Sequence, residues 1–138
     1  MTGPTMNEKL PVPCAENCLF CSVPIQRIIL ENVHCYGIQD GFPVTSLHTL
    51  VIPKRHVEDW FGLSQVELIA CNDLLRQARL EIIREDPSVH GFNIGSNCGE
   101  VSGQTVFHCH IHLMPRRKGD TPAPRGGVRH IIPGKGSY

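Results

Sequence analysis

"HCHIHLMPR", residues His108 to Arg116, sets histidines at positions 108, 110 and 112 with Cys109 and Ile111 between them. Side chains two apart in an extended chain share a face and lie roughly 6.5–7 Å apart. The spacing therefore predicts a strand from Val106 to Met114, with His108, His110 and His112 on one face and Phe107, Cys109, Ile111 and Leu113 on the other. The apolar face accounts for burial. One outward histidine, or two, is ordinary on a half-exposed strand; three in register call for chemistry.

Working outward, β-branched and aliphatic runs predict further strands at Arg27 to Leu30, Val33 to Ile38, His48 to Pro53 and Gly91 to Ser96, with Glu31 and Asn32 turning the first into the second. "SQVE", from Ser64 to Glu67, is a capping box: the serine hydroxyl accepts an amide proton near Glu67, and the glutamate reaches back. Leu68, Cys71, Leu75, Ala78 and Ile82 then follow steps of three and four, which puts them on one helix face. Asp86 followed by Pro87 ends that helix. At 1.5 Å per residue it is about 30 Å long, enough to cover one face of a sheet. The expected class is α+β with mostly antiparallel strands, and Trp60 is expected to pack under the helix.

A chain of 138 residues with 41% hydrophobic content suits one domain. We divide 1–138 into an N-terminal arm at 1–13, a core at 14–114 and a basic Gly/Pro-rich arm at 115–138. Lys plus Arg and Asp plus Glu number 13 each, so no net field draws the chain onto nucleic acid or an anionic membrane. The first residues lack the apolar core of a signal peptide, and no apolar run is long enough to cross a bilayer. A cytoplasmic protein is expected. Seven cysteines without signs of secretion fit reduced thiols, and a metal, better than a disulfide framework.

Two chemistries compete for the histidine strip. A catalytic zinc or iron site usually adds a nearby carboxylate, whereas His112 is followed by Leu113 and Met114. A neutral imidazole is also a good nucleophile toward phosphorus when its second nitrogen donates to a fixed acceptor. The preceding "NCGEVSGQTVFH" suits that second reading: Gly99 and Gly103 let backbone amides approach an anion, and Asn97, Gln104 and Thr105 add donors.

"CAENCLFC" supplies Cys14, Cys18 and Cys21. Cys18-x-x-Cys21 has the spacing by which two thiolates grip one zinc from a tight turn. A redox-active pair and two unrelated buried thiols are the alternatives, and a zinc site needs two further ligands.

"HCHIHLM" resembles the signature of the histidine triad (HIT) nucleotide-binding proteins, and "GQTVFHCHIHLMPR", "HTLVIPKRHV" at His48 to Val57 and "NCGE" reinforce it. The likeness runs over roughly Cys14 to Ile132 and is greatest to the small bacterial-type HIT hydrolases related to the Hint and dinucleoside polyphosphate hydrolase branches. It implies a five-stranded antiparallel sheet per subunit, joined across a two-fold axis into a homodimer. It also implies cleavage at the α-phosphate of a purine nucleotide conjugate, a nucleoside phosphoramidate or a dinucleoside polyphosphate, through a nucleotidyl-histidine intermediate. No catalytic metal is required for that chemistry.

By the same resemblance, His110 is the nucleophile, His112 hydrogen-bonds the phosphate and assists the leaving group, and His48 sits near that phosphate. Gln104 and Thr105 hold phosphoryl oxygens, Asn97 lies near phosphate or ribose, and Asp40 matches the acid that accepts ribose hydroxyls. Some members hold a structural zinc, whose ligands fall here on Cys18, Cys21, His56 and His108, with Cys14 the weaker candidate. Two departures stand out. Leu47 replaces the glycine usual before the histidine at 48, and Cys109 replaces an aliphatic residue. A nucleotide-sensing module with little turnover and a zinc-stabilised interaction domain are the rival readings from other classes.

His34, His90 and His130 have no motif around them, and Cys35, Cys71 and Cys98 read as packing residues. The tail from Arg116 carries six basic residues against Asp120. It reads as a solvated arm, with contact of Arg116, Arg117 or Lys118 to leaving phosphates as the alternative.

Overall fold

A computed structural model describes residues 17–138. The expected arm at 1–13 and the possible ligand Cys14 lie outside the described residues. Strands β1 (Ile28–Glu31), β2 (Cys35–Gln39) and β3 (Thr49–Pro53) precede a helix α1 (Gln65–Glu85), and β4 (Val89–Gly95) and β5 (Ile111–Arg117) follow it. Together they form one five-stranded antiparallel sheet in the order β1-β2-β3-β5-β4. The α+β class, with its single long helix, is as expected. Among the described residues no helix is long and apolar enough to cross a membrane.

Local chemistry explains the turns. Asn32 closes β1 onto β2, because its Oδ1 accepts the amides of His34 and Cys35 while its own amide donates to the Cys35 carbonyl. Ser64 Oγ accepts the Glu67 amide at 3.1 Å and Glu67 Oε1 accepts the Ser64 amide at 2.8 Å, completing the capping box. The buried helix row is Glu67, Ala70, Cys71, Leu74, Ala78 and Ile82. Leu68 and Leu75, expected at its centre, are half-buried flanks, since the row is rotated toward Leu74.

The sheet is covered on both faces. Leu30, Cys35, Val51, Val89, Ile111 and Leu113 meet the helix row on one side. Phe20, Tyr36, Ile38, Leu50 and Ile52 cluster on the other, with Val23 and Ile28 beside them. The Tyr36 hydroxyl donates to the Phe20 carbonyl and fastens the N-terminal segment there. A truncation such as Leu74→Ala in the helix-facing layer removes on the order of 2–5 kcal/mol.

Two expectations need correction. The strand predicted from Val106 begins at Ile111 and runs on to Arg117. Its neighbours set that start: β3 pairs no further back than Val51 with Ile111, and β4 ends at Gly95 opposite His112. Upstream, the backbone is held instead by single bonds, Cys109 amide to Val57 carbonyl and Ser96 hydroxyl to His110 carbonyl. Trp60 is not beneath the helix; it is 39% exposed in the short turn Trp60–Gly62. Asp59 caps that turn by accepting the Phe61 amide, and Val57 and Leu63 pack inward with Cys109 in its place.

Leu47 is the one non-glycine with positive φ, 70°, among the described residues. The backbone before His48 therefore takes the left-handed conformation that favours glycine, and a leucine adopts it at a cost of roughly 1–2 kcal/mol. Its side chain packs against the helix-facing core, which offsets that strain.

Candidate functional site

His112 on β5 stands opposite Leu50 on β3, and Leu50 belongs to the face turned away from α1. His48 is two residues before Leu50, hence on the same face and diagonal to His112, within reach of long side chains. The two rings lie 5.1 Å apart, with His48 Nε2 at 2.9 Å from His112 Nδ1. The Val44 amide donates to His48 Nδ1 at 3.1 Å. That nitrogen must then carry a lone pair, so the neutral His48 ring has its proton on Nε2 and donates it to His112 Nδ1. His112 in turn keeps its proton on Nε2.

Asp40 stands behind this pair. Its Oδ2 is 3.4 Å from His48 Nε2 and 3.8 Å from His112 Nδ1, and its Oδ1 accepts the Phe42 amide. Burial pushes the His112 pKa down to about 4, helped by the neighbouring His110 and His48 and opposed by Asp40. Burial likewise lowers that of His48 against the pull of Asp40. Both rings are thus neutral near pH 7.

His110 is 8% exposed and follows a similar logic with the opposite outcome. Its Nδ1 is 2.8 Å from the His108 carbonyl, which can only accept, so Nδ1 carries the proton and Nε2 the lone pair. Ser96 holds the carbonyl of His110 at 2.7 Å. The ring lies 5.3 Å from that of His112 and 5.0 Å from that of Phe20.

A second cluster sits beside it. Cys18, Cys21, His56 and His108 bring one ligand atom each to a common point. His108 Nδ1 is 3.3 Å from Cys18 Sγ, 3.4 Å from Cys21 Sγ and 3.2 Å from His56 Nδ1, and His56 Nδ1 is 3.2 Å from Cys21 Sγ. With metal bonds of about 2.3 Å to sulfur and about 2.0–2.1 Å to nitrogen, tetrahedral ligand atoms stand about 3.3–3.8 Å apart, the nitrogen–sulfur and nitrogen–nitrogen edges being the shorter ones. His108 Nε2 donates to the Pro53 carbonyl at 2.7 Å, which leaves the Nδ1 lone pair aimed at the two thiols and His56. The donor set and the tautomer both fit a metal ion.

The same test separates this cluster from Asp40, His48 and His112, which also converge. A metal on His48 Nε2 would need the proton moved to Nδ1, where it would face the Val44 N–H. That group is built as a proton-holding pair.

The glycine-rich loop is placed less simply. Gln104 is 3% exposed and spends its amide within the protein, donating to the Glu58 and Val106 carbonyls and accepting the Gly99 amide. Thr105 is exposed and lines an open cleft with Cys18, Leu19, His56, Val106 and Phe107. Asn97 is exposed on the loop after β4. The structure therefore brings together His48, His110, His112 and Asp40, and separately Cys18, Cys21, His56 and His108. It ties Gln104 into the loop and leaves Asn97 and Thr105 at the surface.

Several contributors escape sequence reasoning. Phe20 and Ser96 each touch His110, and the Val44 amide sets the His48 tautomer. Arg55, next to His56, makes a two-pronged pair with Glu67, Nη2 to Oε1 at 2.6 Å and Nε to Oε2 at 3.0 Å. Burial raises the Glu67 carboxyl, but Arg55 and Ser64 outweigh it and the net shift is downward. His34, His90 and His130 are exposed. In the tail, Arg116 pairs with Asp120 and Arg117 with Asp86.

The profile of the HIT domain matches residues 24–119. Protein hit of Bacillus subtilis is 38% identical over 112 residues, 78% of this chain and 77% of that one. A HIT family protein from Bacillus anthracis is similar in structure, with TM-score 0.70, 37% identity and 77% of each chain covered. A Zn-bound histidine triad family protein from Mycobacterium smegmatis gives TM-score 0.67 and 35% identity over 78% of this chain and 80% of that one. A HIT family hydrolase from Clostridium thermocellum gives 0.61 and 31% over 79% and 97%.

Proposed function

The chain belongs to the HIT domain family, and from that premise we propose that it is a nucleotidyl hydrolase or transferase acting at the α-phosphate of a purine nucleotide conjugate. The substrate class is a nucleoside phosphoramidate or a dinucleoside polyphosphate. One observation carries the reading: the bond from His110 Nδ1–H to the His108 carbonyl leaves Nε2 as an unprotonated, oriented nucleophile.

In the first step a bond forms between His110 Nε2 and the α-phosphorus, the bond to the leaving group breaks, and the leaving group takes the electron pair. The ring becomes a phosphorylated imidazolium, and the Nδ1–H bond to the His108 carbonyl strengthens as that charge develops. His112 Nε2–H is the donor for phosphoryl and leaving-group oxygens, because His48 occupies its Nδ1. Water then attacks phosphorus and gives up a proton to solvent, the N–P bond breaks with its electron pair returning to Nε2, and neutral His110 is restored. Asn97 and Thr105 are the proposed nucleotide contacts, with Asp40 toward the ribose; Gln104 contributes by shaping the loop.

Zinc is the proposed occupant of Cys18, Cys21, His56 and His108, where it would supply a crosslink between the N-terminal turn and the histidine segment. The four-ligand donor set supports a closed structural site, with no open position for substrate. A homodimer with a continuous sheet is proposed from the family likeness; β4, the sheet edge nearest the histidines, carries the exposed Ile94.

The test is to quench turnover of an AMP amine or a dinucleoside polyphosphate in acid-free denaturant and look for a nucleotidyl adduct by mass spectrometry. An adduct on wild type that vanishes in His110→Ala supports the enzyme. Wild-type activity in His110→Ala would overturn it, and tight AMP binding without adduct or turnover on either substrate would favour a sensor.

A further inference from the structure

Cys18 and Cys21 converge on His56 and His108, and between them in sequence lies Phe20, whose side chain is buried in the protein. The turn is closed by the Cys21 amide on the Cys18 carbonyl at 3.2 Å. The Phe20 ring is 7% exposed, stands 5.0 Å from the His110 ring at 62°, and reaches 6.2 Å from His108 at 89°. Its carbonyl is fixed by the Tyr36 hydroxyl.

His110 needs such a wall. One hydrogen bond, from Nδ1, holds the imidazole, and the torsion that turns the ring about its bond to Cβ is broad. No strand hydrogen-bond ladder stiffens the backbone at this point, since β5 begins one residue later. Phe20 and His112 both meet the ring edgewise, at 5.0 Å and 5.3 Å. Near-attack geometry is lost when the nucleophile swings out of line by about 1 Å.

We propose that Phe20 is a positioning residue for His110, and that the cysteine turn exists in this chain to hold that ring as well as to bind a metal. The inference rests on His110 as nucleophile for its kinetic consequence, and on geometry alone for its effect on the ring. The four-ligand centre thereby acts on the reaction mechanically: the two thiols fix the turn, the turn fixes Phe20, and Phe20 fixes the imidazole.

The experiment uses the metal-loaded protein with three chains: wild type, Phe20→Leu, and Ser22→Ala as a control beside the same turn, where Ser22 is exposed. Metal content is measured by elemental analysis and folding by circular dichroism. Ordering of the His110 ring is read without substrate, from its imidazole ¹H–¹⁵N NMR signals and from the rate at which diethyl pyrocarbonate modifies it. Phe20→Leu is expected to keep its metal and fold, broaden the His110 signals and change its modification rate about tenfold. Its kcat should fall about tenfold with KM within twofold, while Ser22→Ala matches wild type in all readouts.

Unchanged His110 signals and modification in a metal-loaded Phe20→Leu would overturn the proposal, as would an equal change in Ser22→Ala. Should Phe20→Leu fail to fold, Phe20→Met keeps the bulk while removing the ring, and the same readouts apply. If wild type formed no nucleotidyl adduct, the reading of His110 as nucleophile would fall, yet the substrate-free readouts would still decide whether Phe20 orders the ring.

Discussion

His48 gives its Nε2 proton to Nδ1 of His112 across 2.9 Å, and it does so because the Val44 amide already occupies its other nitrogen. A backbone group thus decides which nitrogen of a ring two steps away is left free to donate. His48→Ala removes the donor and frees His112 to take either tautomer. We expect kcat to fall about 100-fold with KM within a few-fold, checked by steady-state kinetics. The ¹⁵N shifts of His112 should show the tautomer mixture; a single unchanged tautomer in the variant would remove this account of its role.

The depressed pKa of His112 makes stability depend on pH. With a folded value of about 4 against an ordinary 6.5, the unfolded chain takes up a proton between those values and the folded chain does not. Stability is therefore complete above about pH 6.5 and is lost as pH falls toward 4, by on the order of 2–3 kcal/mol. Urea midpoints from pH 7 to 4.5 measure it, and His112→Gln should flatten the slope.

Glu67 joins the helix start to the segment that carries His56. It accepts the Ser64 amide in the capping box and pairs with Arg55 through both oxygens. Glu67→Ala loses the cap and leaves the guanidinium unpaired, for an expected loss of about 3 kcal/mol. Glu67→Gln should cost less, since it can still accept the Ser64 amide. Denaturant unfolding at pH 7 ranks the two.

Cys18→Ser and His56→Ala should each bind less than a tenth of the zinc held by wild type, and chelation of wild type should lower its melting temperature. Full occupancy in both variants would refute the four-ligand assignment. Neither result depends on turnover.

Leu47 sits in left-handed backbone at φ 70° while its side chain packs on the core. Leu47→Val keeps an apolar group but puts a β-branched residue in that conformation, and should lower stability by about 2 kcal/mol. Thermal melts of both proteins test this.

The two-residue spacing of the histidines, the capping box at Ser64 and the Cys-x-x-Cys turn were legible because each is a local pattern with one geometric outcome. The pairing of His48 with His112 across strands was reachable only through family resemblance, because register depends on partners distant in sequence. The start of β5 was misread for the same reason: composition favoured extended chain from Val106, but no neighbouring strand is there to pair with it. Trp60 followed its Asp59-capped turn outward, although its bulk suggested burial. Phe20 gave no signal, since an aromatic between two metal-spaced cysteines reads as filler. Leu47 did give one, as a departure from glycine, and its positive φ shows that the backbone kept the glycine shape without the glycine.

That β5 begins at Ile111 divides the two proposed reacting groups between two mechanical regimes. His112 is laddered to β3 and β4 on both sides, whereas His110 hangs on a span outside the ladder. The proposed nucleophile is thus steadied by side-chain packing and single hydrogen bonds, and the proposed donor by the sheet itself. Hydrogen exchange should therefore find the His110 amide opening well before that of His112.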